Sequence, residues 1–148
     1  MESTLDNCYG IILDKLNYQN EGELTIELTE LIVSNSKVDL NIGNDKLIKD
    51  LNPVQSTNQS KRFKVEFEQV VFHQVVDESY CTLDNYEIRD GMNKLRVLSK
   101  SRYLDFINEN YPFYDVLEKK GTHYRLVTST EVIDIIAYDI PIIKEIKN

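Results

Sequence analysis

The side chains of this sequence best able to do chemistry are few: two histidines, His73 and His123, and two cysteines, Cys8 and Cys81. Acid–base catalysis draws first on imidazole, and a nucleophilic dyad would need one of the thiols beside one of these rings. Nothing in their spacing brings them together. His73 falls within the run Phe72 to Val76 and is expected to face solvent, opposite Phe72; His123 opens an apolar stretch beside Tyr124 and reads as structural. Neither cysteine belongs to a CxxC or sits near clustered histidines, so zinc and thioredoxin-like chemistry lack support and reduced, half-buried thiols are expected.

Carboxylates are more plentiful. Asp77-Glu78, followed by Asp84, Glu87 and Asp90, forms the densest acidic stretch in loop-like sequence. Paired carboxylates can hydrolyse glycosides or hold a divalent metal, but both roles depend on separation in space. No EF-hand pattern is present, and the five glycines never form GxGxxG or GxxxxGK[ST], which removes the common nucleotide cradles. Neither a catalytic residue, a cofactor nor a metal is expected, and the simplest reading is a non-enzymatic chain.

Charge sets the limits on partners. The 148 residues carry 25 acidic and 17 basic side chains, a formal net charge of −8. Phosphate backbones and anionic membranes are engaged mainly by Lys and Arg, so nucleic acid and membrane surface are poor partners for such a chain. The N-terminal residues MESTLDNCYG lack the basic and apolar regions of a signal peptide, and no apolar run approaches the ~20 residues of a membrane span. The expected location is cytoplasmic.

The elements that position these residues are mostly strands. Ile and Val together number 27 against one alanine, Ala137, a balance that favours sheet over helix. Tyr9 to Leu13 can form a first strand, and Asn17 to Gly22 a hairpin loop. Leu24 to Glu30 then alternates strictly before its parity slips at Leu31 and Val33, which suggests a β-bulge. Phe63, Val65 and Phe67 share one parity and Val70 and Phe72 the other, so a second long strand is expected to bend beside the first as its antiparallel neighbour. The polar stretch 34–60 reads as a surface excursion with a short helix over Asn44 to Leu51, stopped by Pro53. Lys94 to Leu98 reads as a strand. Ser99 or Ser101 precedes the clearest helix, Tyr103 to Asn110, and His123 to Val127 and Glu131 to Ala137 close the chain as strands. The expected fold is α+β, one domain over 1–148: a curved antiparallel sheet of about six strands with one main helix packed on it. The strand carrying Ile133 and Ile135, if left at an edge, could pair across a two-fold axis into a homodimer.

At Ser99-Lys100-Ser101-x-Tyr103-Leu104, His123-Tyr124 and Glu131 to Ile136 the chain resembles a group of small uncharacterised bacterial proteins. The likeness covers roughly 60–143, includes the long strand Arg62-Phe63-x-Val65-x-Phe67 ending near Asp77-Glu78-Ser79, and implies no catalytic residue. In size, acidity and absence of motif the chain is also similar in type to immunity proteins of bacterial toxin systems.

Two surfaces follow as candidate protein-binding sites. The polar faces of the long strands place Glu27, Glu66 and Glu68, with Asp77 and Glu78 at the strand end, on an acidic sheet face suited to a basic protein. Tyr111, Phe113 and Tyr114, just after the helix, form an aromatic contact loop. The leading expectation is a protein-binding domain, an immunity-type inhibitor that covers a basic toxin. The alternatives are a small-molecule module with its ligand in the curve of the sheet, or a carboxylate- and metal-dependent enzyme using loop carboxylates near Asp77-Glu78 with a divalent metal.

Overall fold

The computed structural model describes residues 3–44, 46–111 and 120–146. Its strands are β1 (Gly10–Tyr18), β2 (Leu24–Val33), β3 (Val38–Asn41), β4 (Leu47–Leu51), β5 (Val54–Gln55), β6 (Arg62–Phe67), β7 (Val70–Asp77), β8 (Ile88–Arg89), β9 (Leu95–Lys100), β10 (Thr122–Val127), β11 (Glu131–Ala137) and β12 (Ile142–Ile146), with one α-helix, α1 (Arg102–Asn110). The sheet-dominated α+β class is therefore as expected. The single curved sheet is not: β1-β2-β6-β12, with β5 beside β2, make one sheet, and β7-β11-β10-β9-β8 make another. All pairings are antiparallel.

Parity explains the two sheets. Leu24, Ile26 and Leu28 of β2 face the same way as Phe63, Val65 and Phe67 of β6, and all six are buried. The change of parity after Phe67 is a passage from one sheet to the other, not a bend within one strand. The Asp139 carboxylate accepts hydrogen bonds from the Glu68 and Gln69 amides at 2.8 and 3.0 Å, and the Tyr138 amide donates to the Gln69 carbonyl. That corner thereby locks to the β11–β12 connection, where the chain crosses back. The inner faces of both sheets contribute to one core, with Ile11, Ile26, Phe63 and Val65 from the first and Leu95, Tyr124, Leu126, Ile133 and Ile135 from the second. The bulge lies in β1 between Leu13 and Lys15 rather than in β2. Gly22, which turns the chain from β1 to β2 at φ +89°, lies where a Cβ would come within 2.9 Å of the Val70 carbonyl oxygen, so only glycine fits.

Two expectations about strands fail on pairing. Asn44 to Leu51 is not a helix, because Gly43 (φ 83°) and Asn44 (φ 51°) turn the chain left-handed and join β3 and β4 as an exposed ribbon. Nor is the strand with Ile133 and Ile135 an edge: β11 lies between β7 and β10, and both side chains are fully buried. β11 therefore offers no free edge for pairing across a two-fold axis.

Because β11 is covered on both faces, its outward residues need a layer of their own. Helix α1 supplies it over one part: Ile107, Tyr103 and Leu104 pack with Ile136, Val71 and Phe72 on the outer face of the second sheet. Ser101 caps the helix, its hydroxyl accepting from the Leu104 amide at 3.0 Å. Ser101→Ala should cost about 1 kcal/mol or somewhat more, since the same hydroxyl also bonds His123. A urea-denaturation midpoint measures that loss.

Candidate functional site

The outer face of the second sheet carries one polar row between two apolar ones. Strand register sets Gln74 of β7 opposite Asp134 of β11, Asp134 opposite Arg125 of β10, and Arg125 opposite Arg96 of β9. One row away Phe72, Ile136, His123 and Leu98 lie beneath or beside α1, and on the other side Val76, Val132 and Val127 continue the sheet. The residues between Asp77 and Leu95 form an opposite wall. Helix, sheet and wall enclose an open cavity of about 700 Å³.

The floor is a chain of charge-assisted hydrogen bonds. Arg125 is clamped between two carboxylates: its Nε donates to Asp134 Oδ1 at 2.6 Å, and its Nη1 donates to both Glu87 oxygens at 2.7 and 2.8 Å. Asp134, 3% exposed, also accepts from His123 Nε2 at 2.8 Å and from the Gln74 amide at 2.9 Å. Burial alone would raise the Asp134 carboxyl, but the bonds from His123, Arg125 and Gln74, with the Arg125 charge, hold it down at about 2. Ser101 completes the chain at 2.9 Å from His123 Nδ1. The Ser101 oxygen accepts from the Leu104 amide, and the Nε2–H tautomer of His123 is the one that lets Nδ1 accept from the Ser101 hydroxyl while Nε2 donates to Asp134.

Ser101, His123 and Asp134 thus have the composition of a hydrolytic triad without its access. Ser101 is 0% exposed and committed to the helix cap, so no substrate carbonyl can reach it. Cys81, on the cavity wall, has its thiol raised by burial and stays protonated, a poor nucleophile. Among the described residues no three His, Cys, Asp or Glu side chains converge as a metal set requires.

Recognition is better provided for than reaction. The sequence has five arginines, and four of them, Arg89, Arg96, Arg102 and Arg125, line this cavity. Arg125 is neutralised by Glu87 and Asp134, and Arg102 pairs with Asp84 at 2.7 Å. Arg96 and Arg89 have no carboxylate partner among the described residues. Arg96, 8% exposed, gives its Nε to the Asn93 carbonyl and directs Nη1 to the Met92 sulfur at 3.9 Å; Arg89 gives Nη2 to the Asp84 carbonyl. Burial, and then the charges of Arg89 and Arg125, lower the Arg96 guanidinium from its ordinary value, against the opposing pull of Glu87 and Asp90. No family model, curated protein or solved structure matches the chain.

Hydrogen bonds and ring contacts hold the wall to the helix. Tyr86 donates its hydroxyl to Asp105 at 2.6 Å, with Lys100 and Arg102 over its ring at 4.0 and 5.1 Å, and Asp84 accepts from the Tyr86 amide. These contacts tie residues 84–89 to the start of α1, which makes the cavity preformed.

The residues singled out from sequence lie mostly elsewhere. Glu27 and Glu66 are on the outer face of the first sheet, across the core from the cavity, where Glu27 lies 3.6 Å from Arg62 and Glu66 pairs with Lys64 and Lys144 at 2.6 and 2.7 Å. That face carries both signs. Glu68 is at the corner after β6, and Asp77 caps the turn Glu78–Tyr80 through the Ser79 amide. Of these acids only Glu78 reaches the cavity, at its lip. Tyr111 packs its ring on Phe72 and Phe106, while Phe113 and Tyr114 lie outside the described residues. His73 is half-buried against the Tyr18 ring at 5.0 Å, with its pKa lowered by burial, rather than open to solvent. The signal for the site is parity: Arg96, Arg125 and Asp134 interrupt the apolar runs of β9, β10 and β11, and charges at such positions are buried only when paired or employed.

Proposed function

We propose that this chain is a binding module that takes a small anionic ligand into the arginine-lined cavity on the outer face of the second sheet. The observation that carries this reading is the concentration of four of five arginines there, two of them without a carboxylate partner among the described residues, in a chain of net charge −8. Guanidinium forks match carboxylate and phosphate oxygens in geometry as well as charge, and a preformed floor spares the ligand the cost of ordering it. The buried Ser101–His123–Asp134 chain then acts as scaffold, holding Arg125 and the helix in place.

The test is thermal unfolding in the presence of acetate, benzoate or inorganic phosphate against chloride at matched ionic strength. A ligand present at 100 times its Kd stabilises by about 2.7 kcal/mol. At least one of the three anions should raise the unfolding temperature of the wild-type chain and leave Arg96→Gln or Arg89→Gln unmoved. Equal shifts in all three proteins would sink the reading.

An immunity-type inhibitor that covers a basic toxin is the second reading, supported by the net charge of −8 and the exposed carboxylates of Asp77 and Glu78. Salt-sensitive capture of a basic protein, lost on reversing those two charges, would favour it.

A further inference from the structure

Resting on the anion-binding reading, we propose that the ligand is a monocarboxylate with an apolar body, its carboxylate held by Arg96 and Arg89 and its body lying against Leu83, Met92 and Phe106. Three observations carry the assignment. The four arginines of the cavity face four carboxylates, Glu78, Asp84, Glu87 and Asp134, so the lining is neutral overall. A polyphosphate would meet as much repulsion as attraction there, whereas a single negative charge placed at the two guanidiniums without a carboxylate partner among the described residues does not.

Next, the mouth is apolar where the floor is charged. Leu83, Met92 and Phe106 are 71%, 65% and 50% exposed, and all three line the same cavity as Arg96. Large apolar side chains gathered around a polar floor favour a ligand that is apolar at one end and charged at the other. Val76, Val127 and Val132 extend that apolar surface along the sheet. Finally, the volume of about 700 Å³ is that of a small-molecule site and exceeds what a free inorganic anion would fill.

Calorimetric titration with straight-chain monocarboxylates from butanoate to octanoate, each beside its neutral primary amide, tests the assignment; octyl phosphate and inorganic phosphate serve as the more highly charged probes. Affinity should rise about fourfold per methylene. The amides should bind at least tenfold more weakly than the acids. Arg96→Gln should abolish the preference for acid over amide, and Arg89→Gln, at a less buried position, repeats the test should the first variant fold poorly. Leu83→Ser, at an exposed residue, should flatten the dependence on chain length while keeping the preference for the acid. Tighter, Arg96-dependent binding of octyl phosphate or inorganic phosphate than of octanoate would overturn the monocarboxylate assignment and leave the anion cavity standing. Failure of every probe to bind would remove both.

Discussion

Asp134→Ala is expected to destabilise the fold by about 3–5 kcal/mol, the usual consequence of removing one partner from a buried charge network. Arg125 would lose its shorter clamp, His123 its acceptor and Gln74 its partner, all within a layer that α1 closes over. Asp134→Asn keeps the shape and one acceptor oxygen, and should cost less. The effect has a pH signature. The Asp134 carboxyl is held at about 2, below the ~3.9 of an unfolded aspartate. A depressed carboxyl contributes stability above the unfolded value and loses it as pH falls through the folded one. That contribution, about 2–3 kcal/mol, should fade between about pH 4 and pH 2 in the wild-type chain and be absent from Asp134→Ala. Urea midpoints for both proteins at pH 7, 4 and 3 measure it; parallel curves for the two proteins would show that Asp134 is not the titrating group.

Phe63→Ala should cost about 3–5 kcal/mol for a different reason. Phe63 is 1% exposed, stands opposite Leu28 in the first sheet, and belongs to the core shared with Leu126 and Ile133 of the second. Truncation leaves a void between two sheets that meet face to face, and neither can collapse without breaking register. The loss should appear in the denaturation midpoint and, because the cavity lies on the far side of the second sheet, leave ligand affinity unchanged at temperatures where the variant is folded.

Local pattern made a good part of this fold legible. Strict alternation over Leu24–Leu28 and Phe63–Phe67 located the first sheet's core, and of the two serines ahead of Tyr103, Ser99 and Ser101, the second caps the helix. Parity slips were harder to read, because a bulge and a change of sheet leave the same trace. At Leu31 the slip suggested a bulge that lies instead in β1; at Val70 the trace belongs to a sheet crossing fixed by Asp139, more than sixty residues later in the chain. The ribbon β3–β4 replaces the expected helix because Gly43 and Asn44, where that helix would start, adopt left-handed backbone.

The charges of the site are legible one by one, but they are spread over three strands and the wall between β7 and β9. A hairpin turning through Thr128–Thr130 sets Arg125 opposite Asp134, two charges in otherwise apolar strands. Arg96 and Glu87 reach them only through the order of β9 and β10 and the course of the connecting wall, which local periodicity does not encode. Conversely, the face of β2 and β6 is not simply acidic, because Arg62 and, from β12, Lys144 join Lys64 beside its glutamates.

The cavity assignment is tested most directly at the guanidinium groups themselves. In protein labelled with 15N-arginine and titrated with octanoate, the Nε–H resonances of Arg96 and Arg89 should move saturably. That of Arg62, beside Glu27 on the opposite sheet, should stay in place. Absence of any shift at Arg96 and Arg89, or shifts no larger than that of Arg62, would contradict the assignment.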